Sequence, residues 1–312
     1  MGSKERSKDI GTQKFNLRAL ILAMRPKQWI KNLLVLTAPA AAGVLSHLVP
    51  MGKAIFATIA FCLISSATYL VNDVLDLHED RLHPKKKERP IAKGIVTPPI
   101  AIVTACILFV AGGAIATAVA GLKLEIVVEL YVLISITYSL WLKHSPVIEM
   151  ASLSSGFVLR AIAGGVATNV PLSIWFIVVT SFGALLVVAG KRSAEHHELG
   201  DKASAHRKVL DSYPMTFLRS TRLLAASVTV TAYCLWAFER GGTEALVKGS
   251  HDQLWFQLSI VPFVLAILLV ELALETGRGG APEDLAFEDR TLQILGIIWI
   301  ILFALGVYGW PL

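Results

Sequence analysis

The run Asn72-Asp73-Val74-Leu75-Asp76-Leu77-His78-Glu79-Asp80 follows directly on the apolar stretch Ala54 to Val71, so a line of carboxylates emerges where a hydrophobic segment ends. On an α-helix, residues three and seven apart lie within about 60° of one another and span about 10 Å of axis. Asp73, Asp76 and Asp80 are therefore expected on one helix face. Carboxylates this close repel unless a dication or ammonium groups neutralise them, which makes a purely structural role costly. Magnesium suits the set: it takes oxygen ligands, keeps several waters and is commonly shared between a few carboxylates and substrate phosphates. A solvated acidic helix end is the competing reading of such a cluster.

The rest of the chain favours the cation. Of 312 residues, 54% are hydrophobic and only 17% charged, with a mean hydropathy of +0.63. That composition excludes an ordinary soluble domain and predicts an all-α integral membrane protein. Apolar stretches of spanning length run at about Trp29 to Val49, Ala54 to Val71, Pro99 to Gly121, Leu124 to Leu142 and Val147 to Ala167. Further stretches at about Leu172 to Gly190, Leu223 to Phe238, Leu254 to Leu274 and Leu292 to Trp310 bring the expectation to about nine transmembrane helices, bundled in a single domain of residues 1–312. The segment 1–16 is polar and expected to be mobile. The first apolar stretch shows no small-residue cleavage site and reads as a retained span.

Charge sets the sidedness. The N-terminal segment through Lys31 and the loops holding Arg81 to Lys93 and Lys191 to Arg222 are basic, whereas the alternate loops carry only Lys53, Lys123, Arg240 and Lys248. The positive-inside rule predicts that the N-terminus and both long basic loops are cytoplasmic. The net charge of +6 is a topology and anion signal. It does not point to nucleic acid, because no stacking platform or recognition motif accompanies it. Cys62, Cys106 and Cys234 lie inside apolar spans without metal-ligand spacing and read as packing residues.

Four further groups of polar residues bear on chemistry. Arg160 sits mid-span, where a charge faces a cavity or a partner, so it is expected either to hold a phosphate or to pair with a carboxylate from another helix. In Gly190-Lys191-Arg192-Ser193-Ala194-Glu195-His196-His197-Glu198, Lys191 and Arg192 suit phosphate, while Glu195 suits a second metal or a sugar hydroxyl. Span-end anchoring is the alternative for these cations. Asn72 is grouped with Glu195 for the same sugar or second-metal role. The basic run after the carboxylates offers Arg89 for bidentate diphosphate contact and Lys86 as a point charge, with lipid headgroup attraction as the alternative. Ahead of the first span, Lys27, Lys31 and Asn32 bound an anionic lipid site beside the interfacial Trp29.

The nine-span pattern, Asn72-Asp73-x-x-Asp76-x-x-x-Asp80 and Arg89-Pro90-Ile91-Ala92-x-Gly94 resemble the UbiA superfamily of intramembrane prenyltransferases. Arg25-Pro26-x-Gln28-Trp29-x-Lys31-Asn32, the segment Gly156 to Gly164, Gly190-Lys191-Arg192-x-x-Glu195, Pro282-Glu283-Asp284 and Asp289-Arg290-x-Leu292 are similar to its branch of decaprenyl-phosphate phosphoribosyltransferases. That resemblance implies a bacterial inner-membrane enzyme with a cytoplasm-facing site. It would transfer 5-phosphoribose from phosphoribosyl pyrophosphate to a polyprenyl phosphate, with magnesium on Asp73, Asp76 and Asp80, as a step toward cell-wall arabinan. Where many aromatic prenyltransferases of the superfamily carry a second Asp-rich motif, this chain has Lys191, Arg192 and Glu195, which favours a donor with more phosphate to hold. Arg160 joins the donor contacts on this reading. The rivals are a prenyltransferase using a prenyl diphosphate and a transporter whose intramembrane charges line an anion path.

Overall fold

The structure, a computed structural model, describes residues 16–199, 212–239, 252–276, 285 and 288–309. Expectations for Arg240, Lys248, the segment 282–284, the side chain of Glu198 and most of the loop between Lys191 and Arg222 lie outside the described residues, as do residues 1–15. Asn16, assigned to the mobile segment from sequence, is instead the N-cap of α1 (Leu17–Ala23): its side chain accepts the Ala19 N–H at 3.0 Å.

Long helices follow the apolar stretches closely. They are α3 (Leu48–Leu75), α5 (Pro98–Ala120), α6 (Leu122–Leu140), α7 (Ile148–Thr168), α8 (Ile174–Leu199), α9 (Met215–Glu239), α10 (Asp252–Glu275) and α11 (Arg290–Tyr308). A bilayer offers backbone groups no water, so a spanning segment satisfies them within its own helix. Among the described residues, seven helices are long and apolar enough to cross a membrane. The protein is thus an all-helical, multi-pass membrane protein. Leu122–Leu140 is not among the seven; it has 19 residues and carries Lys123, Glu125 and Glu129.

The expected first span, Trp29 to Val49, is not one helix. It divides into a 3-10 helix at Pro26–Leu36, the short α2 at Thr37–Ala41 and a 3-10 turn at Val44–Ser46. Pro26 starts the first piece, Pro39 lies inside the second, and Gly43 ends it at φ 74°. Each interrupts α-helical hydrogen bonding. Such backbone survives at membrane depth only against protein. Here the 3-10 helix packs on α3 and α7, and Gly164 of α7 allows the Val35 carbonyl into the place a Cβ would take.

The core beneath the site is built from small and large apolar residues in register. Ala57, Ala60, Phe61 and Ile64 of α3 pack with Val35, Leu124, Val128, Tyr131, Leu159 and Ala163. Small residues at these crossings let helix backbones approach, the usual device where lipid supplies no hydrophobic drive between helices. Ile107, Val110, Ile294, Ile297 and Ile301 point outward, as a lipid-facing surface requires. A second cluster, including Ala19, Leu20, Leu70, Ile91 and Val96, fixes α1 and the loop after α4 (Leu77–Leu82) beside the end of α3.

Candidate active site

The carboxylates lie at a break. Helix α3 stops at Leu75, Asp76 caps it at φ −89°, ψ 8°, and α4 begins at Leu77. The Asp76 N–H still donates to the Asn72 carbonyl at 2.9 Å and the Asp80 N–H to the Asp76 carbonyl at 2.8 Å, so the rotation stays close to helical. Asp73 and Asp80 are 2% and 1% exposed. One nitrogen, Arg89 Nη1, lies 3.1 Å from Asp73 Oδ1 and 2.5 Å from Asp80 Oδ2. Arg25 closes on the same Asp73 oxygen, and Lys86 Nζ is 3.9 Å from Asp80 Oδ1.

Asp76 faces elsewhere. Lys143 Nζ donates to its Oδ1 at 2.6 Å, and Asn72 Nδ2 to its Oδ2 at 3.1 Å. Asn72 in turn accepts from Ser139 Oγ at 2.6 Å. The expectation of three carboxylates gathered on one face is therefore corrected to two adjoining subsites. Among the described residues, no group of three or more His, Cys, Asp or Glu side chains gathers tightly enough to hold an ion. The repulsion read from sequence is relieved by guanidinium and ammonium groups. The arrangement still fits a hard cation, because Asp80 Oδ1 is buried without a hydrogen-bond partner. A buried carboxylate oxygen left so is costly.

Two of these cations escaped the sequence reading as site residues. Arg25 adopts φ 55°, ψ 61°, left-handed backbone immediately before Pro26, and stacks over Tyr69 at 4.9 Å. A non-glycine residue in that region stores strain and marks a constrained position. Lys143 lies in the turn after α6; the two helices α5 and α6 bring the chain back to Asp76, so following the helices would have found it. The basic loop is partly self-compensated. Lys93 bonds Glu88 and holds its carboxyl below the usual range, His83 Nδ1 accepts the Lys85 and Lys86 N–H groups at 3.2 Å each, and buried Ile91 and Ala92 tie the loop down.

Arg160 and Asn32, expected in separate donor and lipid sites, belong to one buried cluster. Arg160 Nε donates to Asn32 Oδ1 at 2.7 Å, Nη1 to the Gly156 carbonyl at 2.7 Å and Nη2 to Tyr131 Oη at 2.9 Å. The guanidinium also lies 4.7 Å from the Tyr131 ring centroid. It makes no ion pair with a described carboxylate. Asn32 Nδ2 reaches Ser65 Oγ at 3.2 Å. Lys31 lies 5.8 Å from the Phe157 ring centroid, while Lys27 is exposed. With its nitrogens committed to neutral partners, Arg160 holds helices together. Arg160→Lys loses the planar fork and is expected to cost about 2 kcal/mol of stability. A lower melting temperature in detergent with an unchanged donor Michaelis constant is the expected result; a raised constant at unchanged stability would return Arg160 to the donor.

Arg192 is similarly committed. Its Nε and Nη2 each lie 2.7 Å from an oxygen of Glu149, and its Nη1 lies 2.6 Å from Glu195 Oε2. At 2% exposure it forms a buried fork with Glu149 on α7, an ion pair between helices where the sequence reading expected a donor phosphate. Glu195 stands half-buried on the next turn of α8, and Lys191 is half-buried at the same helix end. One residue along, Ser193 Oγ accepts from Arg222 Nη1 at 2.6 Å, and Arg222 reaches Glu271 at 3.3 Å. These pairs lace α7, α8, α9 and α10 together on the side that carries Asp73.

Carboxylates paired with guanidinium and ammonium groups thus gather where α3 meets α4. Residues 33–288 match the UbiA prenyltransferase family. The chain belongs to that family. It is 44% identical over 305 residues to the decaprenyl-phosphate phosphoribosyltransferase of Mycobacterium tuberculosis, covering 94% of this chain and 96% of that protein. The enzyme of the same name from Corynebacterium glutamicum is 42% identical, over 94% of this chain and 88% of its own. Among solved structures, a UbiA homolog from Archaeoglobus fulgidus bound to DMAPP and Mg2+ superposes with a TM-score of 0.68 at 17% identity, covering 94% of this chain and 100% of that one. At that identity the likeness establishes the fold.

Proposed function

We infer that this protein is a decaprenyl-phosphate phosphoribosyltransferase that takes 5-phosphoribose from phosphoribosyl pyrophosphate. The observation that carries the reading is near-full-length similarity, above 40% identity, to two enzymes of that name. A phosphate oxygen of the lipid attacks the anomeric carbon, the bond to the diphosphate oxygen breaks, and the diphosphate leaves with the electron pair. The acceptor is already an anion and needs orientation rather than a strong base. Attack opposite the leaving group inverts the anomeric centre to a β-linked product, which serves as precursor for cell-wall arabinan.

Asp73, Asp80 and Asp76 would hold magnesium, with Asp80 Oδ1, which accepts no hydrogen bond, as a ready ligand. When bound, magnesium neutralises the leaving diphosphate. Arg25 and Arg89, released from Asp73, are then available to donor phosphates, as are Lys86, Lys143 and Lys191. Asn72, held by Ser139 and Asp76, would border the sugar, and Glu195 would share that role. Lys27 and Lys31 supply charge for the lipid phosphate near the membrane surface. The protein sits in the bacterial inner membrane with this site facing the cytoplasm, where a water-soluble donor is made.

The deciding experiment incubates purified protein with decaprenyl phosphate and either phosphoribosyl pyrophosphate or geranyl diphosphate, and resolves the lipid products. Transfer is expected from the first donor alone. Phosphoribosyl pyrophosphate is also expected to raise the melting temperature in detergent, by about 2.7 kcal/mol of added stability at a hundredfold excess over its dissociation constant, only when magnesium is present. Prenylated product, with neither binding nor transfer of phosphoribose, would overturn the reading in favour of a prenyltransferase.

A further inference from the structure

Between Lys143 and Glu149 the backbone makes a strained turn. Val147 lies at φ 66°, ψ −50°, and the Ile148 N–H donates to the Pro146 carbonyl at 2.7 Å. This is the three-residue bond of a positive-φ γ-turn, a rare and costly conformation. A β-branched residue is poorly suited to positive φ. Side-chain burial does not account for it either, since Val147 is 52% exposed.

The main chain supplies the restraint. As the N-cap of α7, Val147 has an N–H without a helical partner, and that N–H donates to Tyr213 Oη at 2.7 Å. Tyr213 is a firm support: it is buried, stacks on Phe217 with centroids 5.8 Å apart and planes 10° off parallel, and packs with Met150, Val188, Ala189 and Leu218. Four residues before the turn, Lys143 meets Asp76; two residues after it, Glu149 clamps Arg192. The conformation at Val147 therefore sets where Lys143 stands relative to the helix that Glu149 anchors.

We propose that Tyr213 is a positioning residue for the transfer reaction: its hydroxyl holds the γ-turn at Val147 and thereby sets Lys143 against Asp76. This rests on the reading that Asp76 and Lys143 belong to the donor site. Tyr213→Phe keeps the packed ring and removes only Oη, so the protein is expected to fold. Its kcat/KM for phosphoribosyl pyrophosphate is expected to fall about fivefold to tenfold, with the Michaelis constant for decaprenyl phosphate unchanged.

Glycine accepts positive φ without strain. In a Val147→Gly background the turn no longer depends on the hydroxyl, and Y213F is expected to cost less than twofold; such dependence of one substitution on another is the mark of coupling. Loss of melting temperature in Y213F without altered donor kinetics, or an equal kinetic loss in both backgrounds, overturns the proposal. Lys143→Met separates the two levels. If K143M leaves donor kinetics untouched, the donor-site reading fails; if K143M cripples transfer while Y213F does not, the site stands and the positioning role falls.

Discussion

Asp73→Asn and Asp76→Asn are each expected to lower turnover by about a hundredfold or more, the scale on which removal of one charge-stabilising group acts on a developing anion. Each change removes a formal charge with almost no change in volume. The two are not equivalent in their second effect. Asp73 is buried beneath Arg25 and Arg89, so D73N leaves Arg25 without its carboxylate and Arg89 with Asp80 alone, and should also lower the melting temperature. Asp76 is more accessible and answers Lys143 alone among described cations, so D76N should lose activity with little loss of stability. Turnover and melting temperature measured on the same purified proteins check both statements. Full activity of either variant, or undiminished activity in excess chelator, would remove magnesium from the proposed mechanism.

Asp73, Asp76 and Asp80 were legible because a membrane chain has few reasons to place carboxylates at a helix end. Their partners were not, because Arg25 and Lys143 reach them across 48 and 67 residues of sequence. Residue type announces a charge, but pairing depends on which helix ends share a side and a radius of the bundle. The same limit explains Arg160. Its position in an apolar span demanded a partner, yet nothing local distinguishes a phosphate from Asn32, 128 residues away, or Tyr131, 29 away. For Arg192, phosphate contact and span-end anchoring were the two readings, and its partner Glu149, which arrives from the preceding helix, was not legible locally.

Helix positions were legible for an equally physical reason. Eighteen or more apolar residues have one low-energy solution in a bilayer, and α3 and α5 to α11 follow those runs. The stretch after Trp29 is as apolar as the others, and its length alone reads as one more span. Pro39 is the one residue inside it that α-helical hydrogen bonding disfavours. What allows eleven residues of 3-10 helix, far longer than is usual, is a groove on another helix made by a glycine more than a hundred residues later.

That groove carries the second large prediction: Gly164→Ala is expected to cost both stability and activity. A Cβ at Gly164 would lie 1.8 Å from the Val35 carbonyl oxygen, 2.8 Å from its carbon and 3.1 Å from Pro39 Cδ. The first two are backbone atoms, so no rotamer change relieves the clash, and the 3-10 helix itself must move away. Val35 is fully buried in the main core cluster, which makes that movement an overpacking strain of about 3 kcal/mol, or about 5 °C in melting temperature for a chain of this size. Asn32 lies one 3-10 turn before Val35, so its bonds to Arg160 and Ser65 should lengthen with the displacement. Gly113→Ala on α5 is the matched control, since nothing lies within 4 Å of its Cβ position and alanine is the better helix former. It should melt at or above the parent temperature with full activity. G164A melting and turning over like G113A would show that the first segment moves aside at no cost, and that its close seating on α7 does not set the site.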